Sequence, residues 1–317
     1  MRWSRVIAGL VGLAVGAAFL AIAFRGTPPA AVWDVLRSGH WGLPAAVVLL
    51  GTALFVYAKA ARWRLLLGGG SAVAPLLSPV LAGLALNACV PHSGEFVRAF
   101  SLQRRSGRAA SAVLSSILAE RVFDLFGVLI LGSVALGAVQ VSPALSAAFR
   151  LLGVVAAGLA ALVLASLAAP KLVRRVAGAG VTPLPLRARE FLLREVEQAL
   201  EGLAPVRSLT TSARVLAWSL AQWLAVALCV YGCGEVVGFD AGAAAAFLVV
   251  VGIVVAFLLP NAPGYAGSVQ VAFLVTLRPL GIAEPLALGA SIVYQLLMVL
   301  PVVVAGLALL RPSLARR

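Results

Sequence analysis

Two apolar runs of this chain are broken at corresponding places in its two halves. The first break is Asn87-Ala-Cys-Val-Pro-His-Ser-Gly-Glu-Phe-Val-Arg98 and the second is Pro260-Asn-Ala-Pro-Gly-Tyr-Ala-Gly267. Each puts Pro, Gly and polar residues inside a stretch otherwise fit for hydrocarbon. Lipid cannot satisfy the N–H and C=O groups that such a break frees, so irregular backbone at membrane depth must lie inside protein or along a wet cavity. A matched pair of interruptions points to a binding site near the bilayer midplane, between two repeats of opposite orientation.

That argument presumes a membrane protein, and composition requires one. Of 317 residues, 62% are hydrophobic and 11% charged, with a mean hydropathy of +1.06, far outside the range of soluble domains. Stretches long enough to cross about 30 Å of hydrocarbon fall at 6–24, 42–60, 109–139, 148–169, 213–232 and 286–310. Two shorter runs, 74–90 and 241–259, each lead into a break. The first stretch is too long for the apolar region of a secretory signal, and Phe24-Arg-Gly-Thr-Pro-Pro is a poor cleavage site, so it is read as an anchor. The expected fold is all-α and polytopic, a single domain over 1–317 with about six full spans and two inverted re-entrant helical hairpins.

The net charge of +14 invites a nucleic-acid partner. That reading is rejected, because the basic residues are parcelled between apolar spans, which is the positive-inside pattern of insertion. Arg2 and Arg5 place the N-terminus in the cytoplasm. Lys59, Arg62 and Arg64 are read as the cytoplasmic flank of the second span, and Arg104, Arg105 and Arg108 as that of the first hairpin. Lys171, Arg174, Arg175, Arg187 and Arg189 form the largest basic loop, and Arg311, Arg316 and Arg317 put the C-terminus inside as well. Segment 74–108 then enters from the cytoplasm and 241–280 from the outer face. If all eight segments crossed fully, one arginine cluster would stand on the wrong side. The implied location is a cell (inner or plasma) membrane.

The loop at about 170–212 is too short for a catalytic domain. Within it, Arg189–Ala204 reads as an amphipathic interfacial helix, with Leu192, Val196, Ala199, Leu200 and Leu203 on one face and Glu190, Arg194, Glu197 and Glu201 on the other. Gly12-Leu-Ala-Val-Gly16 permits a close helix contact. The oligomeric state stays open, a homo-oligomer included. Cys89, Cys229 and Cys233 lie in apolar runs and read as buried thiols. With His40 and His92 as the only histidines, there is no triad and no metal-ligand cluster. No nucleotide-binding fingerprint appears, so neither an enzyme nor a cofactor is expected.

The charges inside the spans carry the chemistry. Glu120, Arg121 and Asp124 share one apolar run. Counted from Ser111 at about 1.5 Å per residue, Glu120 lies about 14 Å deep. A central charge costs about 2.5–3.5 kcal/mol on insertion scales, so three together need partners or water. The spacing lets Arg121 pair with Asp124. Glu95 and Arg98 form a second pair at a helix start. Two readings stand side by side. One is a self-compensated ion cluster that locks helices together. The other is a wet cavity for a charged ligand, in which Arg98 and Arg121 would hold phosphate. In the second hairpin, Pro260, Asn261, Pro263 and Gly264 offer either an anion nest or a plain kink. His92 is a polar filler or a proton carrier, and Tyr294 and Gln295 could line the same cavity.

These residues are similar to a known family. Asn87…Pro91…Gly94-Glu95…Arg98, then Glu120-Arg121…Asp124, then Pro260…Pro263-Gly264…Gly267 resemble the flippase-like membrane domain of lysylphosphatidylglycerol synthases and its stand-alone relatives. The resemblance covers roughly residues 5–310. It implies a lipid-translocating domain with two facing re-entrant hairpins. Together with the residue reading above, the expected substrate-binding residues are Asn87, Pro91, His92, Glu95, Arg98, Glu120, Arg121, Asp124, Asn261, Pro263, Gly264, Gly267, Gln270, Tyr294 and Gln295. The chain departs from the pattern in two places. His92 and Ser93 stand where the family often has a basic residue. Gln270 and Gln295 stand where it often has Glu and Arg. The soluble aminoacyl-transfer domain of the full synthases is not expected here. The function so implied is movement of a phospholipid or polyprenyl-phosphate-linked lipid between leaflets. The alternatives are a non-transporting accessory subunit of a lipid-linked glycan or envelope pathway, and a membrane-embedded enzyme acting on polyprenyl phosphates.

Overall fold

In hydrocarbon an amide finds no water, so apolar runs must close their hydrogen bonds within themselves. The described residues accordingly form helices and no strand. The structure, a computed structural model, describes residues 14, 16–70, 72–90, 93–139, 141, 143–240, 242–258 and 262–314, with backbone alone at 105, 144 and 311–314. In chain order the helices are α1 (16–23), α2 (Pro29–Arg37), α3 (Gly42–Leu66), α4 (Ala74–Cys89), α5 (Ser93–Ser106), α6 (Ala110–Ala138) and α7 (Pro143–Ala168). They continue with α8 (Pro170–Gly180), α9 (Leu186–Gly202), α10 (Leu209–Val237), α11 (Gly242–Phe257), α12 (Ser268–Leu277), α13 (Glu284–Tyr294) and α14 (Leu300–Leu314).

The chain is an all-α polytopic membrane protein. Five stretches are long and apolar enough to cross a bilayer: Gly42–Leu66, Ala110–Ala138, Leu145–Ala168, Leu209–Val237 and Glu284–Leu310. The sequence expects a sixth at 6–24; most of it lies outside the described residues. The last span is α13 and α14 joined through a π-helical turn, Gln295–Val299.

Two helix pairs depart from this length. α4 has 16 residues and α5 has 14, about 24 and 21 Å long at 1.5 Å per residue. α11 has 16 and α12 has 10, about 24 and 15 Å. None reaches the ~30 Å of a hydrocarbon core. The partners of each pair pack on one another, giving two helical hairpins at the places where the sequence is broken. The first hairpin rests on α14, α3 and α6, and the second on α6, α10 and α13.

The most extensive helix pairing is α3 against α10. It is close because Gly51 faces Cys229 and Gly232 faces Val48, where a methyl group on either glycine would collide. α10 begins on a capped turn, with the Ser208 hydroxyl accepting from the Thr211 N–H.

Two apolar clusters fill the interior. One is built from Val48, Leu125, Val128 and Val226–Val237 with α11 to α13. The other is built from Val56, Trp63, Leu66, Val113, Ile117, Val122 and Val215 with the first hairpin. On α6 the boundary falls between Val122 and Leu125, and on α10 between Val215 and Val226. The buried charges occupy that seam.

Outside the spans, α8 and α9 pack on one another, and the Arg174 Nε donates to Glu197 Oε1 at 2.6 Å. That hydrogen bond lifts the guanidinium above its ordinary pKa. The amphipathic helix starts at Leu186 rather than Arg189 and ends at Gly202 rather than Ala204. It docks on the first turns of α6, where Gly202 lies against the backbone of Ala112.

Candidate functional site

The second span is longer than its apolar run. Helix α3 continues to Leu66 and carries Lys59, Arg62 and Trp63 into the interior, all three buried. This corrects the reading of Lys59 and Arg62 as part of a flanking basic cluster. Spaced three and four residues apart, they lie on the face of α3 that meets α6.

There they meet two carboxylates. Glu120 and Asp124 stand one turn apart on α6 and are both buried. Glu120 accepts from three cations: Lys59 Nζ at 2.5 Å, Arg62 Nη2 at 2.8 Å and Arg98 Nη2 at 2.7 Å. Asp124 takes Arg62 in a bidentate grip, at 2.5 and 3.2 Å, and a further bond from Gln222 Nε2 at 2.9 Å. Arg62 Nη1 also donates to the Ser219 hydroxyl at 2.9 Å. The Arg98 guanidinium lies 4.1 Å from the Trp63 ring centroid, a cation–π contact. Trp63 in turn donates to Ser116 at 3.3 Å. One network thus joins α3, α5, α6 and α10.

Arg121 is placed differently. It does not pair with Asp124 as its spacing allows; its Nη2 pairs with Glu95 Oε1 at the tip of the first hairpin. The Arg121 side chain is 45% exposed and that of Glu95 15% exposed. Yet Ile117 and Leu125, one turn to either side of Arg121 on α6, are buried, while the outward residues Phe126, Ile130 and Val134 form a separate exposed stripe. The exposure of Arg121 is therefore an opening within the helix assembly and not contact with the lipid face.

Asn87 and Gly94 shape the first tip. The Gly94 N–H donates to Asn87 Oδ1 at 2.7 Å, and Asn87 Nδ2 donates to Glu95 Oε1 at 3.3 Å. A side chain at Gly94 would run into the Gly83 carbonyl, so α4 and α5 touch through backbone. Glu95 Oε2 is buried and has no hydrogen-bond partner among the described residues. Pro91, His92 and Asn261, named from the sequence, lie outside the described residues, as does Pro260.

The second tip meets the first. Its turn Pro263–Tyr265 packs against α4. Tyr265 stacks on Phe257 with ring centroids 4.2 Å apart and lies within electrostatic reach of Arg121, Glu95 and Cys89. The turn holds two residues at positive φ, Gly264 at 71° and Tyr265 at 59°. Positive φ at a bulky non-glycine residue is sparsely populated and needs external support.

The two glutamines supply that support. Gln295 Nε2 donates to the Gly264 carbonyl at 3.0 Å. Gln270 Nε2 donates to Gln295 Oε1 at 2.6 Å, and the Gly267 N–H donates to Gln270 Oε1 at 2.8 Å. Gln295 opens the π-helical turn of the last span, and Thr52 on α3 donates to the Leu297 carbonyl within it at 3.3 Å. A side chain at Gly267 would collide with Gly16 and Phe19, so this glycine also lets α1 approach. Tyr294 is buried against Phe273, with centroids 5.7 Å apart.

The sequence-named residues thus divide. Glu120, Asp124 and Arg98 form a buried network with Lys59, Arg62, Ser219 and Gln222, four residues the sequence reading did not place there. Asn87, Glu95 and Arg121 meet at the opening. Pro263, Gly264, Gly267, Gln270 and Gln295 build the second tip, and Tyr294 sits in the core.

The family described as "Lysylphosphatidylglycerol synthase TM region" matches residues 9–306 of the chain. No curated protein and no solved structure matches it.

Proposed function

The chain belongs to the lysylphosphatidylglycerol synthase transmembrane family, and from that membership we propose that it moves an amphiphile with an anionic, phosphate-bearing headgroup between the leaflets of a cell membrane. One observation carries the reading: a half-exposed arginine on an inward face of a span, between the tips of two hairpins too short to cross. Moving a charged headgroup through hydrocarbon is slow because water must be stripped from it. Fixed donors inside a wet opening replace that water, and a guanidinium is well matched to a phosphate. The acyl or isoprenoid tails would stay in lipid. In this reading the hairpins are re-entrant from opposite faces, with both termini cytoplasmic. The buried network of Arg62, Glu120 and Asp124 serves as the frame and not as the carrier.

The test is leaflet exchange of labelled phospholipids and polyprenyl phosphates in proteoliposomes, with a proton gradient in either direction and with none. Faster exchange than in empty vesicles, lost in Arg121→Gln with the fold intact, is expected. Exchange no faster than in empty vesicles across the panel, with folded protein present, would replace translocation by the accessory-subunit reading. A lipid product of altered mass would replace it by an enzyme.

A further inference from the structure

We infer that the opening is selective for a headgroup of net charge −1, a single phosphodiester, and that Glu95 is the built-in counter-ion which this headgroup displaces from Arg121. The inference rests on the anionic-headgroup reading above and adds its charge, its competitor and what it rejects.

The charges decide it. Around Glu120 and Asp124 stand three cations, Lys59, Arg62 and Arg98. Beside them Arg121 makes its ion pair, among the described residues, with Glu95. The paired charges of this region, among the described residues, are therefore four cations against three carboxylates. On the second tip Tyr265 lies within electrostatic reach of Arg121 and Glu95, and Gln270 and Gln295, which hold its turn, carry no charge. Residues 91, 92 and 259–261, outside the described residues, are Pro, His, Leu, Pro and Asn in the sequence, so they bring no carboxylate. An unbalanced charge in a region of low dielectric attracts one opposite charge. A monoanion completes the balance. A lysine ester of the same headgroup carries two ammonium groups and one phosphate, and would instead raise the excess to two.

The geometry names the exchange. Lys59, Arg62 and Arg98 are buried and committed to carboxylates that have no exposed face, so no ligand reaches them. Arg121 keeps 45% of its side chain open, with one ion-pair partner among the described residues. Glu95 holds it through Oε1 alone, while Oε2 is buried without a hydrogen-bond partner among the described residues. A phosphodiester offers two oxygens to the same guanidinium, in the bidentate arrangement that guanidinium favours. Released, Glu95 keeps its bond from Asn87. Glu95 is on the first hairpin and Arg121 on α6, so the exchange breaks one ion pair between hairpin and span while the Arg98–Glu120 pair keeps the two joined.

The experiment measures lipid binding to detergent-purified full chain by native mass spectrometry. The probes are phosphatidylglycerol, lysylphosphatidylglycerol, phosphatidic acid and phosphatidylcholine, with sn-glycerol 3-phosphate as the soluble arm. For the wild type, phosphatidylglycerol should bind at least tenfold tighter than its lysyl ester. Glu95→Gln removes the competitor and leaves a second unbalanced cation, so it should bind phosphatidylglycerol severalfold tighter and gain still more for phosphatidic acid. Arg121→Gln should bind both glycerol lipids equally. If that variant fails to accumulate, Arg121→Lys takes its place and should keep the charge preference with weaker binding. A wild type that prefers the lysyl ester, or a Glu95→Gln that binds phosphatidylglycerol less tightly, overturns the inference. Glycerol phosphate binding as tightly as the lipid overturns the lipid identity. Charge-ranked binding without leaflet exchange would sink translocation and leave this inference standing. Exchange with flat binding ranks would do the reverse.

Discussion

Arg62 grips Asp124 with both terminal nitrogens, Nη1 at 2.5 Å from Oδ1 and Nη2 at 3.2 Å from Oδ2, with both residues buried between α3 and α6. The guanidinium fork is matched to a carboxylate, so this contact fixes orientation as well as distance. With the Lys59–Glu120 and Arg62–Glu120 pairs and the Trp63–Ser116 hydrogen bond, it ties the two spans together.

Removing Arg62 strips the buried Asp124 of its bidentate partner and leaves Gln222 as its remaining hydrogen bond among the described residues. We predict that Arg62→Leu lowers stability by about 3–5 kcal/mol, whereas Arg62→Leu with Asp124→Leu recovers much of the loss. Thermal unfolding in detergent reads both. A double variant as unstable as the two single losses added together would show that the residues are not energetic partners.

The first hairpin depends on the bare backbone at Gly94, whose added Cβ would collide with the Gly83 carbonyl. Gly94→Ala should cost about 1–3 kcal/mol by overpacking. Gly153→Ala, at a site with nothing within 4 Å of the new Cβ, should be neutral or gain up to about 1 kcal/mol from helix propensity. Equal unfolding midpoints for the two variants would contradict the close approach.

At the second hairpin, Gln270 and Gln295 act in series on one turn. Each Gln→Leu substitution should cost about 1–3 kcal/mol, because it strands buried amide groups. The double variant should cost little more than the worse single one, since either change already breaks the relay. Strict additivity in thermal unfolding would separate them.

The fold was legible where chemistry is local. Long apolar runs gave the spans, and Pro, Gly and polar residues at 87–98 and 260–267 marked the two hairpins. What escaped was the end of α3. Lys59 and Arg62 follow an apolar run, and a flank of basic residues reads the same whether it lies outside the membrane or inside it. Their partners Glu120 and Asp124 are about 60 residues away in sequence. Only tertiary packing separates a solvated lysine from a buried one. A signal was available: three carboxylates within the membrane were more than Arg98 and Arg121 could neutralise, so a further cation had to come from one of the stretches read as flanks. The pairing of Arg121 failed for a related reason. Spacing of i, i+3 permits a bond to Asp124, but Arg62 and Gln222 already hold that carboxylate. Gln270 and Gln295 read from the sequence as lost charges of a binding site, and the role their contacts add is to hold a turn.

The final prediction concerns motion between the hairpins. The turn at Pro263–Tyr265 packs on α4, and Tyr265 lies within electrostatic reach of Cys89, the last residue of that helix. If a headgroup passes Arg121 to cross the membrane, the two tips must part, since the opening lies between them; transporters built on opposed repeats move in this way. Joining the tips should therefore stop exchange without removing the site. Tyr265→Cys puts a thiol on the turn that packs against α4, the helix that ends at native Cys89, while Cys229 and Cys233 are buried beyond the reach of a polar reagent. A short, reducible bis-thiosulfonate should link positions 89 and 265 in the proteoliposome. Leaflet exchange should fall to the rate of empty vesicles and return on reduction. Phosphatidylglycerol binding to the linked protein in detergent should persist, because Arg121 and Glu95 are on α6 and α5 and neither is modified. The same reagent on Tyr265→Cys with Cys89→Ala should leave exchange unchanged. Full exchange in protein shown by mass to be linked would mean that the tips need not separate, and the route for the headgroup would then lie elsewhere than between them.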